Sequence, residues 1–286
     1  MKLAPFRLGV QLAVFFMMFA IPVLNAYELY FVTGTYYALN VGGLGVADPV
    51  VILQAMFASG QLTVPLLSAV IFPILVALVF GRVWCGWCCP YLFVADRIES
   101  LRRWCKQTFF KEPGLPSSMG SQNSLQANLI RFLFLFGGTA LGGILGIPVL
   151  NYFSAPGIMS TEAMIFIKEH WFSVEVFFLF ALLTVQLTVW PRFWCRFFCP
   201  TGTTLSLIRS PYTLRVESTG RDTSSPCCKE NSCSDVCPMK LRPYMESGDL
   251  LCVNCGKCVD ACKLSRLKFA GIGSVPKLKR HDAMIK

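Results

Sequence analysis

The sequence predicts an all-α membrane protein: four transmembrane helices arranged as two repeated hairpins, followed by a small cysteine-rich α+β domain at the C-terminal end. Three observations carry this. Hydrophobic residues make up 54% of the 286 residues and the mean hydropathy is +0.55, which is too apolar for an ordinary soluble chain. Four nearly charge-free windows, Leu8–Ala26, Leu62–Phe80, Phe132–Leu150 and Trp171–Trp190, each hold about the 20 residues that cross a hydrocarbon core roughly 30 Å thick. And the stretch RVWCGWCCP at 82–90 is echoed by RFWCRFFCP at 192–200, each time directly after an apolar window.

The first window follows Lys2 and Arg7 and ends near Leu24, Asn25 and Ala26, so a cleaved signal peptide competes with a first span. Its length exceeds a usual signal core, and removing it would break the two-fold repeat. The stretch DPVVILQAMFASG at 48–60 opens with Asp48 as an N-cap and Pro49 at the first helical position, and reads as a short interfacial helix on the outer face. The second window leads into the first cysteine motif. Residues 91–104 then place Leu92, Ala95, Ile98 and Leu101 against charged Asp96, Arg97, Glu99, Arg102 and Arg103, a basic amphipathic helix for the inner interface. From Pro113 to Asn128 the composition reads as loop. In the third window Gly138, Gly142 and Gly146 form small-xxx-small steps suited to close helix packing. Trp171 and Trp190 bracket the fourth as an aromatic belt.

Orientation follows from the basic residues. Residues 27–61 contain no Lys or Arg and 151–170 only Lys168, whereas 81–131 carry seven and the chain from Arg192 onward sixteen. The positive-inside rule puts both termini in the cytoplasm of a bacterial inner-membrane protein. The net charge of +10 is then accounted for by lipid, the anionic inner leaflet, with no nucleic acid needed. All fourteen cysteines fall in the segments assigned to the reducing side, where metal ligation or thiol redox chemistry is favoured over disulfides. The boundaries expected are a transmembrane domain over 1–212 and a cytoplasmic domain over 213–286.

In the tail, CVNCGKCVDAC supplies Cys252, Cys255, Cys258 and Cys262 at the C-x2-C-x2-C-x3-C spacing of bacterial ferredoxins, whose fourth cysteine ligates the second cluster. Upstream, CCKENSCSDVCP supplies Cys227, Cys228, Cys233 and Cys237 with an irregular start, because Glu230 stands where a regular motif has cysteine. The expected domain is thus a two-cluster, ferredoxin-like one with two [4Fe–4S] clusters. One is held by Cys237, Cys252, Cys255 and Cys258. The other uses Cys233, Cys262 and some combination of Cys227 and Cys228, with a three-iron or oxygen-ligated form as the alternative. Few apolar residues lie between 215 and 268, so cluster binding would also hold this domain together.

The paired C-x3-C-P motifs offer Cys85, Cys89, Cys195 and Cys199, which the pseudo-two-fold repeat would bring to one depth. A third iron–sulfur cluster, a redox-active dithiol pair and buried structural cysteines all remain open there, while Cys88 and Cys105 read as bystanders. Haem is not expected: His170 and His281 are the only histidines and no C-x2-C-H motif exists. Glu28, Asp48 and Glu175 are expected near the outer membrane edge.

Together, the two C-x3-C-P motifs, the four spans, the stretch ADPVVILQAMFASGQL from Ala47 to Leu62 and the two-cluster tail resemble the NapH/MauN family of membrane ferredoxin-type proteins. The resemblance implies an integral membrane iron–sulfur electron-transfer protein. Such a protein would pass electrons between the quinol pool and a respiratory or periplasmic redox partner, an iron–sulfur or cytochrome protein, as a quinol dehydrogenase component acting in a complex. The alternative is a maturation factor that supplies reducing equivalents for assembly of a partner metalloenzyme.

Overall fold

The computed structural model describes residues 3–28, 31–61, 63–109, 124–188, 192–210, 212–218, 232–243, 248–262 and 266–271. Helices dominate. The first, α1, runs from Leu3 to Ala26, about 36 Å at 1.5 Å per residue. A meander of three antiparallel strands follows, β1 (Val32–Thr35), β2 (Ala38–Val41) and β3 (Leu44–Ala47). Next come α2 (Pro49–Ser59) and α3 (Val64–Phe80). The first cysteine motif is divided between α4 (Val83–Trp87) and the start of α5 (Pro90–Phe109).

The second half repeats this plan without the strands. After α6 (Ser124–Leu145) and a 3-10 turn (Val149–Phe153), α7 (Ala155–Glu169) corresponds to α2, and α8 (Glu175–Thr188) to α3. The second motif is divided between α9 (Phe193–Phe197) and α10 (Pro200–Leu207). In both halves proline opens the helix that follows the cysteines, where its missing N–H is not needed and its fixed φ fits. In the tail, β4 (Arg215–Ser218) pairs antiparallel with β5 (Leu267–Ala270), and short helices run over Ser232–Asp235 and Lys257–Ala261.

Among the described residues, α1 and Leu125–Leu145 of α6 are long and apolar enough to cross a membrane, and α8 taken with the bent segment Phe193–Leu207 passes the same test. α3 is equally apolar with 17 residues. Large apolar side chains stand exposed around these helices, among them Phe16 on α1, Ile71 and Phe72 on α3, Leu133 and Phe136 on α6, and Phe177 and Phe180 on α8. A contiguous apolar exterior of this extent marks a surface meant for lipid or protein.

Several expectations shift. The expected loop ends early, because α6 begins at Ser124, eight residues ahead of the third apolar window, and the helix ends at Leu145, five residues before that window does. The helix over 49–59 forms as the capping residues foretell: the Asp48 carboxylate accepts from the Val50 N–H at 2.8 Å. Its start, however, is not at an outer surface. Asp48 is buried and accepts a 2.6 Å hydrogen bond from the Thr201 hydroxyl, two residues beyond Cys199. The segment between α1 and α3 therefore folds back into the helical body and meets the cysteine motifs. On α5, Asp96 and Glu99 are buried and Leu101 is exposed, the reverse of their places in the basic amphipathic helix expected there. Ion pairs, described below, are the cause.

The glycines of α6 serve packing. A Cβ on Gly138 would stand 2.3 Å from a methyl of Leu150, and one on Gly142 about 3.1 Å from the Gln54 amide. Gln54 bridges the same two elements, donating to the Gly138 carbonyl and accepting from the Leu150 N–H at 2.8 Å.

Candidate metal centre

Both C-x3-C-P motifs close on one place. Cys85 and Cys195 lie on α4 and α9, and Cys89 and Cys199 precede the prolines. The Cys199 sulfur accepts the Gly202 N–H at 3.5 Å, and the Cys89 sulfur accepts the Leu92 N–H, so the two halves use the same i to i+3 cap. Each of the four thiols interacts electrostatically with others of the set. Cys89, Cys195 and Cys199 pack in one apolar cluster with Tyr91 and Trp194. The Tyr37 hydroxyl, delivered by the β-meander, donates to the Cys89 sulfur at 3.8 Å. Cys88 packs instead against the cluster that contains Met18, Tyr36 and Tyr37, and Cys105 lies half-buried far along α5.

The tail gathers a second set. Cys237, Cys252, Cys255 and Cys258 line a single cavity together with Val216, Met239 and Leu241. Backbone N–H groups of Met239 and Leu241 point at the Cys237 sulfur. Burial pushes the Cys237 thiol up to about 12, with Cys255 adding to the shift, so this sulfur keeps its proton at neutral pH unless a cation displaces it. Cys233 and Cys262 are both buried in a neighbouring cluster with Cys258 and Val216. Cys227 and Cys228, expected to complete that second set, lie outside the described residues, as does His281. His170 ends α7 in the left-handed conformation at φ 55°.

The two sets are adjacent. Cys85, Cys89 and Cys195 pack against the core cluster that contains Cys237 and Cys255. Matching arginines from the two halves reach across. Arg82 donates to the Leu250 carbonyl at 2.9 Å and Arg192 to that of Pro238 at 3.4 Å, while Arg196 donates to Met239 at 2.9 Å. The Trp87 indole N–H donates to the Asn254 carbonyl at 3.0 Å. Beneath them Asp96 pairs with Arg192, with Arg7 at 3.0 Å and with Lys257 at 2.9 Å, and Glu99 pairs with Arg192 at 2.7 Å. Lys257 lies between Cys255 and Cys258, so this buried network ties α1, α5 and the second motif to the cysteine loop of the tail.

The surroundings of the first set are cationic. Arg82 and Arg131 are almost wholly buried, and the Cys199 thiol feels both. Arg131 donates to Thr203, to Ser206 and to the Gly202 carbonyl, all neutral acceptors. Among the described residues neither arginine has a carboxylate at salt-bridge distance. Asp249 favours the Arg131 charge from a distance, but buried guanidinium groups with no carboxylate in contact cost several kcal/mol, and thiolates carrying an anionic cluster would offset that cost.

The donor sets suit a multi-iron group. Four thiolates on one zinc ion at ~2.3 Å would crowd to within about 3.8 Å of one another. Among the described residues no three His, Cys, Asp or Glu side chains close on a single ion in that way. The tail cysteines instead ring a cavity, and N–H groups aim at the sulfurs as they do around iron–sulfur clusters.

A family model described as a 4Fe-4S binding domain matches the chain twice, over residues 62–106 and 171–214, once across each C-x3-C-P motif. The ferredoxin-type protein NapH of Escherichia coli is 28% identical over 75% of this chain and 71% of its own length. The methylamine utilization ferredoxin-type protein MauN of Paracoccus denitrificans is 29% identical over 69% of this chain and 62% of its own. The chain is a homologue of the NapH and MauN ferredoxin-type proteins. An uncharacterized protein of Methanocaldococcus jannaschii is also similar, 26% identical over 70% of this chain and 69% of its own. No solved structure matches. The matches are thus to iron–sulfur, ferredoxin-type proteins, and the chain has helices suited to a membrane.

Several residues at the site escape a sequence reading. Tyr36 and Tyr37 sit in a segment that looks like an outer loop, and nothing in it signals a return to the cysteines. Arg82 and Arg192 do recur at the same offset before each motif, a regularity that charge counting alone spends on topology. Gly86, between bulky neighbours, is the other available signal, since only close backbone approach favours glycine at such a place.

Proposed function

We propose that the chain is a multi-pass membrane protein with four spans and both termini in the cytoplasm, passing electrons between the quinol pool and a redox partner protein. In this reading Cys85, Cys89, Cys195 and Cys199 hold one [4Fe–4S] cluster between the two halves. Cys237, Cys252, Cys255 and Cys258 hold a second. Cys233 and Cys262, completed by Cys227 and Cys228, hold a third of irregular ligation. Such clusters, when bound, supply one-electron storage, into which a two-electron quinol can be divided. The protein's part is to keep the clusters close, dry and electrostatically balanced. The observation that carries this reading is the packing of Cys85, Cys89 and Cys195 against the core cluster that contains Cys237 and Cys255. The two family matches over the C-x3-C-P motifs support iron at that position over a bare dithiol.

The test is reduction of the anaerobically purified protein by a quinol analogue, followed by electron paramagnetic resonance, beside a deletion strain. Cluster reduction by the analogue, with respiration lost and the terminal enzyme fully assembled, is the expected result. Clusters that quinol leaves oxidised, together with a terminal enzyme lacking its metal, would identify a maturation factor instead.

A further inference from the structure

A second cavity lies against the first cysteine set. It is walled by the β-meander, α3 and the start of α10, has an open mouth, and encloses about 60 Å³. Its lining is overwhelmingly apolar and aromatic. Tyr36 and Trp84 lie on one another with ring centroids 5.7 Å apart and planes 17° apart, and Tyr37 joins them.

Three features give the cavity chemistry. At its inner end the Asp48 carboxylate is buried, accepting from the Val50 N–H and the Thr201 hydroxyl. Each of its oxygens keeps a further lone pair, and among the described residues no cation pairs with it. A carboxylate is rarely buried without a cation, and its cost falls only when more donors reach it. At the outer end Phe72 lines the cavity and is 56% exposed, on the same apolar face of α3 as Ile71 and Leu75. The mouth therefore opens where a lipophilic molecule would arrive from lipid. On the remaining side the wall is formed by residues that adjoin the first cysteine motif: Trp84 precedes Cys85, the Tyr36 hydroxyl donates to the Cys88 carbonyl at 3.1 Å, and the Tyr37 hydroxyl donates to the Cys89 sulfur.

We propose that this cavity seats the hydroxylated ring of a quinol, entering past Phe72 and donating a hydroxyl hydrogen bond to Asp48. An apolar slot with aromatic walls and a single buried acceptor matches a flat, greasy ring that carries one or two O–H groups. The inference rests on the quinol reading above and adds the place where the ring binds. The fold-back of residues 27–61 then has a purpose, because it brings Asp48 and both tyrosines to the cysteines.

The test uses the full chain, isolated anaerobically in lipid nanodiscs, with decylubiquinol and a photoreactive azido derivative of it, both kept reduced, as probes. Labelling is expected on peptides within 36–49 and 72–84. Asp48→Asn keeps the helix cap and removes the charged acceptor; Val76→Phe fills the slot. Each is expected to weaken binding at least ten-fold while iron content and the dithionite-reduced spectrum stay as in the wild type. Phe72→Ala, at the exposed mouth, gives the same reading should Val76→Phe fail to fold. Wild-type binding that all three variants leave unchanged, or labels confined to other helices, would overturn the cavity and leave the quinol reading standing. Absence of wild-type binding to this probe and to a naphthoquinol analogue would overturn both. A photoreactive acyl-chain lipid that labels the cavity and resists displacement by the quinol would assign it to lipid and overturn the proposal.

Discussion

Gly86 lies directly on the backbone of Cys255. A Cβ built at Gly86 would stand 2.4 Å from the Val253 carbonyl oxygen and 3.3 Å from both Cα and Cβ of Cys255. The residue after Cys85 in the first membrane-edge motif is thus in van der Waals contact with the cysteine loop of the tail. Two donor sets far apart in sequence become neighbours in space.

Gly86→Val is therefore expected to push the tail away from α4. The atoms in the way are backbone, so the strain is of the order of 1–3 kcal/mol. Hydrogen–deuterium exchange should show faster exchange over 250–262, with α3 unchanged. Unaltered protection of that loop would mean that the contact contributes nothing to docking.

Asp96 faces three cations, and Asp96→Asn should loosen the same docking from the other side. Breaking a buried network of this kind costs about 3–5 kcal/mol. Its pH dependence follows from the sign of the shift. Burial alone would raise the carboxyl, but Arg192, Lys257 and Arg7 hold it at about 2, below its ordinary value of 3.8. A folded-state value below the unfolded one means stabilisation that is complete above about pH 4 and lost as pH falls toward 2. Thermal unfolding of the wild type from pH 7 down to pH 3 should show this loss beginning only below about pH 4. The Asp96→Asn variant should lack that component.

The cysteines of the first motif are expected to differ in function. Cys85→Ser should remove about four irons per chain while the tail signals persist. Cys88→Ser, three residues on but packed against the separate cluster that contains Met18 and Tyr36, should remove none. Iron analysis and electron paramagnetic resonance of the two variants decide this, and equal iron in both would return the set to a dithiol or a structural role.

Arg82→Gln tests the charge balance. Removing a buried cation next to Cys199 makes reduction of a cluster there harder, so its potential should fall by tens of millivolts, ~60 mV for each 1.4 kcal/mol of lost stabilisation. Redox titration measures it. An unchanged potential would place the anion elsewhere.

Local signals carried much of this fold into the sequence. The apolar runs foretell α1, α3, α6 and α8, and Asp48 followed by Pro49 foretells the start of α2, because capping and hydrophobicity act over a few residues. The spacing of Cys252, Cys255 and Cys258 also foretells that they converge, and with Cys237 they line one cavity. What lay hidden was non-local. Asp96 and Glu99 read as part of the charged side of an interfacial helix because their partners Arg7, Arg192 and Lys257 are scattered over the whole chain. The contact of Asp48 with Thr201 spans 153 residues, and hydropathy alone cannot distinguish a segment that lies outside a helical body from one that folds back into it.

The central claim, that cysteines of both membrane-edge motifs hold iron beside a two-cluster tail, is tested most directly by iron and acid-labile sulfide counted on anaerobically isolated protein. Three clusters predict about twelve irons per chain, or roughly eleven if the one completed by Cys227 and Cys228 lacks an iron. A count near eight, with Cys195→Ser matching the wild type, would contradict it.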